Sequence, residues 1–103
     1  MTMLDILKKR LPEGLEIAKV IDKANASQIE IWFAYRGMKT NCWLSKTCAP
    51  GHATRLCDKT IATAMLGFAI QLKDFEMADY WKDKILDKQK QGGSTDESAV
   101  FKR

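Results

Sequence analysis

Histidine occurs once in this chain and cysteine three times, and no apolar run is long enough to cross a membrane. Each scarcity excludes something. Three cysteines cannot all pair within one chain. Nor does the start MTMLDILKKRL read as a secretion signal, because Asp5 interrupts its apolar residues and the basic cluster follows them. The expected compartment is the reducing cytoplasm. The longest apolar run, Ile61–Ile70, is about half of a membrane span and contains Thr63 and Gly67, so no membrane partner is expected. Cys57 and His52 form the one imaginable nucleophile pair, at the start of a helix where the dipole and Arg55 would lower a thiol pKa. No oxyanion motif, Gly-rich phosphate loop or helical carboxylate pair frames them, so no enzyme and no cofactor are expected.

Metal fares no better. Cys42, Cys48, His52 and Cys57 lie within 16 residues, yet no two cysteines have the two-to-four-residue spacing that structural zinc favours. No metal is expected.

What is present suits a compact domain. With 46% apolar residues in 103, the chain has ample material for one core. The expected division is a single domain over 1–90 and a disordered tail over 91–103, where QGGSTDESAVFKR carries glycine punctuation and little periodicity. Net charge is +4, and it is unevenly placed. Lys8, Lys9 and Arg10 crowd the first segment; Arg36, Lys39, Lys46, Arg55 and Lys59 face only Glu30 and Asp58 between residues 28 and 60. Such a distribution suits an acidic partner, nucleic or protein.

Patterning gives the elements. Leu4, Leu7 and Leu11 recur at helical spacing after Thr2, a capping residue, and Pro12-Glu13-Gly14 ends the run. GLEIAKVID shows a smudged alternation and reads as a strand, followed by a turn over Lys23–Ser27. The next alternation is clear: Ile29, Ile31, Phe33 and Tyr35, then Met38, Thr40, Cys42 and Leu44 after Gly37. A two-residue Arg36-Gly37 turn pairs Tyr35 with Met38, Phe33 with Thr40, Ile31 with Cys42 and Ile29 with Leu44, placing every apolar alternate on one face. Trp32 and Trp43 then share the opposite face with Glu30, Lys39 and Asn41, and Arg36 lies within reach. A one-residue slip would bury both tryptophans but expose Ile29, Ile31 and Phe33.

After a loop over residues 47–53 a helix runs from about Thr54 to Leu72, apolar nearly all round in IATAMLGFAI and therefore deeply buried. A second amphipathic stretch follows a break near Asp74, with Phe75, Met77, Ala78, Trp81, Ile85 and Leu86 on one side. The fold class is α+β: an N-terminal helix, a three-stranded antiparallel meander and a C-terminal helical hairpin packed on the sheet, α-β-β-β-α-α.

Two resemblances accompany these residues. The order helix, three strands, helix resembles the double-stranded-RNA-binding domain in topology and length. It implies a phosphate grip at the start of the last helix, where this chain has His52–Lys59 with Arg55 and Lys59 but no lysine pair. Residues 66–86, with Leu66-Gly67, Phe75, Ala78, Ile85 and Leu86, look like one tetratricopeptide repeat, which implies a helical hairpin.

The expected function is binding without catalysis. The protein would be an adaptor or inhibitor docking on a larger protein through Trp32, Trp43, Arg36, Lys39, Asn41 and Glu30. In texture, short and free of motifs, it is similar to phage or mobile-element accessory proteins. The alternative is a nucleic-acid binder with Lys8, Lys9, Arg10, Arg55 and Lys59 at phosphates. A homodimer through the tryptophan face is a third outcome, and a helix laid over that face would make the tryptophans a second core layer.

Overall fold

The computed structural model describes residues 2–92, with side chains through Ile85. The tail expected over 91–103 falls outside these residues from position 93 onward.

Helix α1 spans Met3–Lys9. Thr2 and Asp5 form a reciprocal cap: the Asp5 N–H donates to Thr2 Oγ1 at 3.1 Å, and the Thr2 N–H donates to the Asp5 carboxylate at 3.0 Å. The helix buries Met3 and Leu7 and stops short of the expected Leu11. Pro12 disfavours helical backbone at Leu11, so the chain leaves the helix at Arg10. The turn that follows needs Gly14, whose φ is +88°; a Cβ there would also press on the Tyr35 ring at 3.3 Å.

Strands β1 (Glu16–Ile21), β2 (Gln28–Tyr35) and β3 (Met38–Ser45) make one antiparallel sheet in the order β1-β2-β3. The β2–β3 register has the expected pairs throughout, from Tyr35 opposite Met38 to Gln28 opposite Ser45. Arg36 and Gly37 both take positive φ, 49° and 80°, the signature of a type I′ turn, whose twist matches its strands. The smudge in β1 is a bulge. Ile17 pairs with Phe33 and Val20 with Ile31, with the register shifting between Ile17 and Lys19. One extra residue lets two apolar side chains three positions apart reach the same face.

Helix α2 (Ala53–Leu72) packs across β3, and α1 lies beside it on the same side of the sheet. Lys73, at φ 59°, ends α2; the Asp74 carboxylate then accepts from the Met77 N–H at 3.1 Å and opens α3, Phe75–Gly92. The helical hairpin is therefore present, but only α2 rests on the sheet, while α3 packs on α2. The core lies between helices and sheet, where Phe33, Phe68, Leu7, Ile31, Leu44 and Cys57 are fully buried. No helix among the described residues is long and apolar enough to cross a membrane.

Candidate partner-docking face

Among the described residues, α1 and α2 pack on the Ile31 side of the sheet, and the tryptophan side carries no helix. Trp43, in mid-strand, is 53% exposed, and Trp32 is half-buried. Trp32 stands between Lys19 of β1 and Asn41 of β3, and Trp43 stands opposite Glu30.

These four residues of β2 and β3 form a square with two diagonals, Glu30–Asn41 and Trp32–Trp43. Asn41 Nδ2 donates to the Glu30 carboxylate at 3.1 Å across one of them. Sheet twist that shortens one diagonal lengthens the other. No ring contact joins Trp32 to Trp43 among the described residues. The indoles are two separated anchors with a polar bridge between them.

Lys39, opposite Ala34, is exposed on the same face. Arg36 is not brought to the tryptophans: its guanidinium sits 5.1 Å over the Tyr35 ring, which itself meets Phe68 at 5.6 Å on the core side. Sequence reasoning missed Lys19 and Ile21, which the bulge turns onto the tryptophan side opposite Trp32 and Glu30. The only signal was the broken alternation of β1.

The basic residues proposed for phosphate do not converge. Arg10 forks onto Asp58 of α2, through Nε at 2.5 Å and Nη2 at 2.8 Å. That bond raises the Arg10 pKa above its already high value. Lys59 lines the opposite flank of α2, facing β3, and Arg55 lies 3.2 Å from the His52 ring. Lys8 and Lys9 are exposed at the end of α1.

The thiols are placed for packing. Cys42 is buried opposite Ile31, and Cys57 is fully buried with its Sγ donating to the Met3 carbonyl at 3.4 Å. Burial pushes both thiol pKa values up. The lowered Cys57 pKa expected from its helical position is therefore corrected: burial, and then the charge of Asp58, push it up against the lowering influence of Arg10, and His52 lies exposed at the helix cap with Arg55 as its neighbour. No group of three or more metal-binding side chains gathers among the described residues.

Exposed apolar side chains also occur on the hairpin, at Ile70, Phe75 and Tyr80. Tyr80 is engaged edge-on with Trp81 at 5.1 Å and lies under Lys84. They are spread over two helices, Ile70 near the end of α2 and Phe75 and Tyr80 in the first turns of α3. No protein-family model, curated protein or solved structure matches this chain.

Proposed function

We propose that this chain is a small binding protein without catalysis, an adaptor or inhibitor that docks on a larger protein through the face bearing Trp32 and Trp43. The observation that carries this reading is a tryptophan 53% exposed on a regular strand, while the helices pack on the other side. Trp is the residue most enriched where binding energy concentrates, and Glu30, Asn41, Lys19 and Lys39 supply the polar rim such anchors need. Protein is favoured over nucleic acid because Arg10 is held by Asp58, Arg10 and Lys59 lie on opposite flanks of α2, and Glu30 stands beside both indoles.

Trp43→Ala tests it. The exposed ring contributes little to the free fold, so the thermal midpoint should stay close to that of the parent. In a complex the same ring is desolvated, and truncation should cost about 2 kcal/mol or more, at least a ~30-fold weaker complex. The measurement is nuclease-resistant capture of the partner by parent and variant. If Trp43→Ala unfolds the domain, the ring is structural and the reading fails.

A further inference from the structure

The sheet has two edges, and they are treated differently. β1 is broken by its bulge, a device that discourages further pairing. β3 runs eight residues with an unbroken register, no proline and no bulge. Its even-numbered residues bond to β2, a ladder that the Lys46 N–H continues by donating to the Ser27 carbonyl at 3.0 Å. The odd-numbered backbone groups therefore point outward. The Trp43 carbonyl confirms that direction, because it accepts from Thr60 Oγ1 of α2 at 3.2 Å. The outward N–H groups of Lys39, Asn41 and Trp43 meet no partner among the described hydrogen bonds.

Beside this edge runs a groove of about 390 Å³, walled by Trp43 and Ser45 on the strand and by Leu56, Lys59, Thr60 and Thr63 on α2. Its volume falls within the ~300–1,000 Å³ usual for ligand clefts. Lys59 is the one charged side chain in the lining, and no carboxylate accompanies it. A second copy of this chain would bring another net charge of +4 to a lining whose one charged side chain is already a cation. A segment bearing carboxylates would neutralise it.

We propose that the edge of β3, open at the Lys39, Asn41 and Trp43 N–H groups and held by Thr60 only at the Trp43 carbonyl, takes an extended acidic segment of the partner protein as a fourth strand, with an inward carboxylate on Lys59 and outward side chains beside Trp43. This deepens the docking reading above and rests on it. Main-chain pairing would supply the grip, and alternate side chains would supply the selectivity. The added strand would also extend the face on which Trp32 and Trp43 stand.

The test titrates the ¹⁵N-labelled full chain with a blocked peptide of about eight residues alternating glutamate and valine. Strand addition should slow hydrogen exchange at the Lys39, Asn41 and Trp43 amides. N-methylating the peptide on its pairing edge should weaken binding at least about tenfold, and methylating the other edge should not. Lys59→Glu, an exposed change, should reverse the preference toward a lysine–valine peptide. Binding that shifts both indole N–H signals but leaves those amides exchanging freely would overturn strand addition while leaving face docking intact. Absence of peptide binding would overturn it too. Protection of the same amides without peptide, in a particle of doubled mass, would assign the edge to a second copy and overturn the acidic occupant. Failure of the docking reading has a different mark, an unimpaired complex in Trp43→Ala.

Discussion

At the scale of single residues, burial decides most of what can be tested. Ile31 is fully buried between sheet and helices, so Ile31→Ala removes its methyl groups and leaves a cavity. The expected loss is about 2–5 kcal/mol, read from denaturant unfolding. A loss below ~1 kcal/mol would mean that the site collapses around the gap. The cysteines divide the same way. Cys42 and Cys57 are buried with raised thiol pKa values, whereas Cys48 is half-buried in the loop before α2. At neutral pH an alkylating reagent should consume Cys48 first, and the other two only on unfolding. Simultaneous loss of all three thiols would contradict the core described here. Arg36 shows where the sequence was silent. Its position in the hairpin was legible, but nothing in the pattern says that its side chain would turn to Tyr35 instead of toward the tryptophans.

Among the elements, α1 offers a pH handle. Asp5 has its pKa held below the ordinary carboxylate range, first by the Thr2 backbone N–H and then by the Thr2 hydroxyl contact. A lowered folded-state pKa means that the stabilisation is present above the unfolded value and is lost as pH falls through the folded one. Acidification below the ordinary aspartate range of about pH 4 should therefore fray α1, and Asp5→Asn should lose that part of the transition. Helical ellipticity followed by pH in the two proteins measures it. Identical acid transitions would show that the cap does not contribute. The β2–β3 hairpin was fully legible because two alternations constrained each other around one turn. β1 was legible as a strand but not as a surface, since a bulge resets which side each residue faces and leaves no mark beyond the broken pattern. That α3 folds back on α2 was legible in the short break near Asp74, but that α3 would rest on α2 alone was not. Amphipathic spacing shows that a helix has an apolar side, and says nothing of whether a sheet or another helix will cover it.

For the whole molecule, the question is how its +4 charge acts. The cations are distributed over the end of α1, both flanks of α2 and the open sheet face, and one of them is paired with Asp58. A protein that neutralises six to ten phosphates loses about 10³–10⁵ in affinity between ~50 and ~200 mM salt. The docking reading requires far less, because apolar anchors are insensitive to screening. The complex should weaken by less than about tenfold over that range, measured as a dissociation constant at several salt concentrations. A steep, linear logarithmic dependence would favour phosphate and move attention to Lys8, Lys9 and Arg55.

The seating of α1 has a consequence for time. Met3 and Cys57 meet across 54 residues of chain, and Arg10 and Asp58 across 48. The β2–β3 hairpin, by contrast, closes over two residues. Contacts of short sequence separation form in microseconds, whereas those joining distant segments wait on the slower closing of long loops. Helix α1, made before the rest of this fold, is thus among the last of its elements to find its place. Until α2 is complete, the leucines of α1 lack most of the surface they rest against.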